Sequence, residues 1–269
     1  MKHILCFGDS NLFGTNPSGG RWPLEQRWTG LLSHALGPEY RIIEEGLGGR
    51  TTVFDDPLEE NRKGSQQLPF LLYSHLPLDL VILSLGTNDC KKPFNANAKI
   101  IAKALEKLSL IVKSHPYGEH YPIPQVLVIS PIHIGENIED SPFASFDNNS
   151  LLLSKTLAPA IKAMAEKNNL LFLDACLVAK SSLIDHLHMD TGGHATLAKA
   201  ILPVILDWFG DERSVAIEQG EKSKIPEDVQ ITQGDAKGFM SEASDKKKAA
   251  PEPKRGRLPL SFGFFRKRF

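Results

Sequence analysis

Cysteine is scarce in this chain of 269 residues: there are three, Cys6, Cys90 and Cys176. An odd and small number implies no disulfide framework, and two of the thiols lie in or beside apolar runs, where they pack as small hydrophobes. Long hydrophobic runs are missing as well, with no stretch near the roughly 20 apolar residues of a membrane span. A cytoplasmic, reduced protein is therefore expected. Net charge is nearly absent at −1, but that value is the sum of unlike parts. Residues 1–212 carry 18 Lys/Arg against 24 Asp/Glu, whereas residues 213–269 carry 13 against 8. An acidic body is followed by a basic tail.

What is present is a hydrophobic content of 41%, ordinary for a globular core. Short runs rich in Ile, Leu and Val recur at 4–7, 41–44, 80–85, 126–130 and 170–173. Their apolar character is continuous rather than alternating, which predicts strands buried on both faces. Helical patterns separate them. Trp28, Leu31, Leu32, Ala35 and Leu36 share one helix face, and so do Ile101, Ala104, Leu105, Leu108, Ile111 and Val112. A third pattern covers about 151–167, and a fourth covers 193–209 with a kink expected at Pro203. Alternating strands and helices predict an α/β fold, a parallel five-stranded sheet covered on both faces. Such a sheet binds ligands beyond the carboxyl ends of its strands.

The residues able to do chemistry all fall at those ends. Gly8-Asp9-Ser10-Asn11 follows the first run, Gly48-Gly49-Arg50 the second, Gly86-Thr87-Asn88-Asp89 the third, and Asp185-His186-Leu187-His188 comes after the fifth. A serine hydroxyl needs a base to become a nucleophile, normally a histidine whose tautomer a carboxylate fixes. Ser10, His188 and Asp185 fit those roles. His186 is the rival base, and with His188 it suggests a metal pair for which only Asp185 or Asp190 offers a further ligand, so no metal site is assigned. His194 reads as a structural histidine at a helix start. An oxyanion needs donors, which the backbone N–H groups of Ser10 and Gly49 and the side-chain amide of Asn88 can supply. Because the first apolar run leads directly into Ser10, reading that run as a cleaved secretory leader would remove the chemistry.

These segments resemble the signature blocks of the SGNH, or GDSL, hydrolase superfamily, in the Ser, Gly, Asn and His at positions 10, 49, 88 and 188. Arg27-Trp28-Thr29-Gly30, Glu44-Glu45-Gly46-Leu47, Arg50-Thr51-Thr52 and Asp55-Asp56-Pro57 are similar to its bacterial arylesterase and acyltransferase branch. The resemblance is close over residues 1–130, looser to about 209 and absent from the tail. It implies a three-layer, flavodoxin-like α/β/α fold, ester hydrolysis without a cofactor, acyl transfer to alcohols in some members, and oligomers that shape the entrance to the site. Leu12-Phe13 departs from the branch, which commonly has a tryptophan there, and His186 replaces its usual glycine.

The expected function is hydrolysis of small, short-acyl or aryl esters through an acyl-enzyme. Deacetylation of sugars and cleavage of lysophospholipids use the same machinery, and a binding module with a partner-recruiting tail is the reading of another class. Candidate pocket residues are Asp9, Leu12 and Phe13 beside Ser10, with Trp22, Phe143 and Phe146 on loops that either wall the site or pack against the body. The segment 213–269 has a composition that disfavours a core. Its last stretch interleaves Lys246-Lys247-Lys248, Arg255 and Arg266-Lys267-Arg268 with Phe262, Phe264, Phe265 and Phe269. That end is either a solvated tail or a surface that adsorbs to anionic membranes or nucleic acid.

Overall fold

A computed structural model describes residues 1–214. Five strands, β1 (Lys2–Gly8), β2 (Tyr40–Gly46), β3 (Leu80–Ser84), β4 (Gln125–Ser130) and β5 (Leu171–Asp174), form one wholly parallel sheet in the order β2-β1-β3-β4-β5. Strand order reverses between β1 and β3, so the crevice for a ligand opens above that pair.

Alternation along the strands divides the core in two. Leu5, Phe7, Val81, Leu83, Val126 and Val128 face α3 (Gly64–Ser74), α4 (Ala98–Ser114) and α6 (Leu157–Lys167). Ile4, Cys6, Leu80, Ile82, Leu127 and Ile129 face α2 (Trp28–Leu36) and α7 (Thr191–Trp208). With both faces covered, the central strands are buried along almost their whole length. Two short helices complete the described chain: α1 (Ser10–Phe13) and α5 (Asn148–Ser154).

The amino-terminal edge of the sheet is stapled. Tyr40 donates its hydroxyl to Asp211 at 3.0 Å, and Arg213 pairs with Asp211 at 2.8 Å while bonding the Leu36 carbonyl at the end of α2. Beside them Phe209 meets the Tyr40 ring edge-on, and the Asp79 carboxylate accepts the His3 N–H. Arg213, assigned from the sequence to the tail, thus belongs to the body. The rest of the reading of 215–269 lies outside the described residues.

Two features differ from the sequence expectation. The helix α3 had no counterpart, because it holds Pro69 and turns Phe70 and Tyr73 to solvent, leaving only Leu68 and Leu72 as large buried side chains. The pattern at 151–167 is two helices, α5 and α6, broken at Lys155-Thr156, where the Ser154 hydroxyl caps the Ile134 N–H. Helix α7 runs unbroken through Pro203.

Candidate active site

Ser10 opens α1 directly beyond β1. The Asp9 carboxylate caps that helix by accepting the Asn11 N–H at 3.0 Å, and Gly14 ends it in the left-handed region at φ 82°. The chain turns this tightly because glycines make room: a side chain on Gly46 would collide with the backbone of Phe13, and one on Gly8 with the Ser84 carbonyl and Leu12. Burial raises the Asp9 carboxyl despite its bond to the Asn11 N–H.

The segment after β5 carries the Asp/His pair. Asp185 Oδ2 lies 2.6 Å from His188 Nδ1, while Oδ1 accepts the N–H groups of Leu187 and His188, both at 3.0 Å. Burial pushes the Asp185 carboxyl up, but its bonds to the His188 ring, the His188 N–H and the Leu187 N–H outweigh it, and the net direction is down. An ionised carboxylate at Nδ1 selects the tautomer with the proton there, which leaves Nε2 as an acceptor. Phe143 sets its ring edge-on to this imidazole with centroids 5.4 Å apart.

The loops after β2 and β3 interlock. Asn88 Nδ2 donates to the Arg50 carbonyl at 3.1 Å, and the fully buried Asp89 carboxylate takes the Thr52 N–H at 3.1 Å and its hydroxyl. Burial lifts the Asp89 carboxyl to about 6 against the opposing Thr52 bonds, with the Asp9 charge adding to the rise. Arg50 donates to the Gly8 carbonyl at 2.7 Å and Gln67 at 2.8 Å and lies over the Phe7 ring; burial lowers it to about 10. Gly49 has φ 74°, and the Glu59 carboxylate occupies the place a side chain there would need. A buried Lys91–Asp56 pair at 2.7 Å ties the same loop down.

The candidate pocket residues divide. Trp22 donates Nε1 to the Met189 carbonyl at 3.3 Å, so Trp22 and Phe143 both touch the histidine segment. Leu12 and Phe146 do not wall the site: both are buried in the core, on opposite faces of the sheet. Asp9 is a buried helix cap, and Phe13 stacks under the Arg21 guanidinium, which reaches Glu44. Glu44 also holds Arg27 at 3.0 and 2.8 Å and the Thr29 hydroxyl, pinning the loop that carries Trp22 to β2.

Asp185 selects His188 over its rival. His186 is in the left-handed region at φ 60° and packs against Gly135, lining an open pocket of about 330 Å³ with His133, Lys155, Cys176 and Lys180. No group of three or more potential metal ligands occurs among the described residues. His194 is fully buried, accepts the Trp28 N–H at 3.3 Å, and is lowered by burial to about 4, so it stays neutral and structural. The motif blocks singled out the strand ends but passed over Asn11, Arg50, Thr52 and Asp89, although all four stand in or beside the quoted segments.

A buried serine, an Asp/His pair and interlocked donor loops at the carboxyl edge of a five-stranded parallel sheet define an α/β/α hydrolase of the esterase class. The chain belongs to the GDSL-like lipase/acylhydrolase family, whose model matches residues 6–196. A search of curated proteins returns no match. Among solved structures, a carbohydrate acetylesterase from Sinorhizobium meliloti is 37% identical, with TM-score 0.73, over 78% of this chain and 100% of that one. The M. smegmatis aryl esterase is 34% identical, TM-score 0.72, over 77% and 99%. A putative arylesterase from Agrobacterium tumefaciens is 34% identical, TM-score 0.71, over 77% and 99%. The protein is a carboxylic ester hydrolase. No described helix is long and apolar enough to cross a membrane.

Proposed function

We propose that the protein is a serine esterase acting on small acyl or aryl esters through a covalent acyl-enzyme. Ser10 Oγ attacks the ester carbonyl and its proton passes to His188 Nε2; the imidazolium then protonates the departing alcohol. Water, deprotonated by the same imidazole, attacks the acyl carbonyl and frees Ser10. The oxyanion is held by the N–H groups of Ser10 and Gly49 and by the side chain of Asn88, whose second N–H remains after Arg50 takes the first. The observation that carries this reading is the buried 2.6 Å contact between Asp185 Oδ2 and His188 Nδ1, since a carboxylate there favours the tautomer a base requires.

Phe143 against the imidazole and Trp22 beside it favour compact, flat substrates over long acyl chains. The likeness to a carbohydrate acetylesterase supports a second reading, removal of acetyl groups from sugars. Acyl transfer follows from the same intermediate when an alcohol replaces water. We also infer a homo-oligomer: Leu177, Leu183 and Ile184, close before Asp185, expose most of their apolar surface. Sedimentation at the monomer mass would contradict it.

The deciding experiment compares hydrolysis of p-nitrophenyl acetate, butyrate and octanoate by the wild type and Ser10→Ala, with acetylated xylose as a further substrate. Turnover that falls with chain length and vanishes in the variant is expected. Equal rates for the two proteins would remove Ser10 as nucleophile. Release of acetate from xylose esters faster than from phenyl acetate would select the carbohydrate reading.

A further inference from the structure

One side chain bridges both flanks of His188, and it belongs to the residue that follows Ser10. Asn11 Nδ2 donates to the Leu187 carbonyl at 3.3 Å, and Asn11 Oδ1 accepts the Met189 N–H at 2.9 Å. The orientation of the amide is fixed, since the Leu187 carbonyl only accepts and the Met189 N–H only donates. Asn11 is buried, which shields both bonds from exchange with water. Its own N–H is held by Asp9, so the bridge starts from a fixed point on α1.

Asp185 and His188 sit three residues apart in one loop. Their bond orients the imidazole within that loop and leaves open how far the loop stands from Ser10. A link between the loop and α1 is needed for that, and Asn11 is such a link, one residue from each partner. Trp22 adds a second tie on the same residue through the Met189 carbonyl.

We propose that Asn11 is a positioning residue that sets the distance and angle of His188 relative to Ser10. The proposal rests on the serine-esterase reading. Aligned proton transfer depends steeply on placement: an error of about 1 Å costs on the order of 100-fold in rate. Groups that bind the substrate are untouched by the bridge, so losing it lowers kcat and spares KM.

The test uses the full chain with Asn11→Ala and Asn11→Asp, assayed with p-nitrophenyl acetate and with diethyl p-nitrophenyl phosphate, which phosphorylates a serine that has a working base. For Asn11→Ala, kcat is expected to fall about 10- to 100-fold with KM within about threefold, and labelling of Ser10 to slow in parallel. Asn11→Asp has the same shape and can still accept from Met189 but turns an oxygen on the Leu187 carbonyl. It is expected to lose kcat as well, and it carries the test should the alanine variant fail to fold. Near-native circular dichroism with kcat and labelling rate within twofold of wild type, in either variant, overturns the proposal. A wild type that is never labelled sinks the esterase reading and this proposal together; a labelled wild type with equally labelled variants sinks this proposal alone.

Discussion

Asp185 and Asp89 are both buried near the strand ends, and their surroundings drive them in opposite directions. Asp185 is lowered because bonds to His188 and two backbone N–H groups overcome its burial. Its stabilising contribution is present above the ordinary carboxylate value of about 4 and is lost as pH falls through the depressed value. An acid limb of the rate profile above pH ~5 therefore does not belong to Asp185. Replacing it by asparagine would put an N–H group or a neutral oxygen at Nδ1, and kcat is expected to drop by about 10³- to 10⁴-fold with little loss of fold. Asp89 is raised to about 6 by burial. Between pH ~4 and ~6 the folded chain keeps a proton that the unfolded chain has released, so this group costs stability as pH rises through that window. An amide in place of this carboxyl would still accept from Thr52 through its oxygen, and Asp89→Asn is expected to flatten the rise of stability toward low pH. Thermal melts of both proteins across pH 4–7 check this, and parallel curves would count against it.

At the scale of elements, the fit of α1 against the ends of β1 and β2 determines where Ser10 stands. A methyl group on Gly46 meets the backbone of Phe13, which has no rotamer to yield. Gly46→Ala is expected to cost about 1–3 kcal/mol through overpacking and to lower kcat more than KM. Denaturant melts beside steady-state rates measure both. The same elements show how much could be read in advance. The three central strands were legible because burial on both faces leaves an unbroken apolar run, and the edge strands β2 and β5 through the shorter apolar runs Ile42-Ile43 and Leu171-Phe172-Leu173. Helix α3 was not, since a helix that buries only Leu68 and Leu72 as large side chains and holds Pro69 has no apolar stripe to detect. The strand ends named Ser10, Asn88, Asp185 and His188 because topology alone brings them to one edge. Pocket walls were a different matter: Phe143 and Phe146 stand three residues apart in one loop, yet the first meets His188 and the second enters the core. Which way a loop side chain points is decided by the partners that fold against it, and no local pattern encodes that.

For the whole molecule, the work is divided between the two edges of one sheet. Tyr40, Asp211, Arg213 and Phe209 close the amino-terminal edge, while Ser10, Asn88 and His188 occupy the carboxyl edge. A chain cut after Ser214 retains all of these contacts and is expected to hydrolyse soluble p-nitrophenyl esters at the rate of the full chain. Removing the last contact by Arg213→Ala should lower stability by roughly 1 kcal/mol and leave kcat unchanged. Calorimetry with a parallel assay separates the two effects, and a change in kcat would show that the edges communicate. The Tyr40–Asp211–Arg213 staple then has a consequence for descent. Because its residues share no partner with the loops at the opposite edge, changes in the two places add independently. A lineage carrying this chain can change the side chains around Trp22 and Phe143 at a stability cost set at that edge alone, with the contribution of the staple left intact.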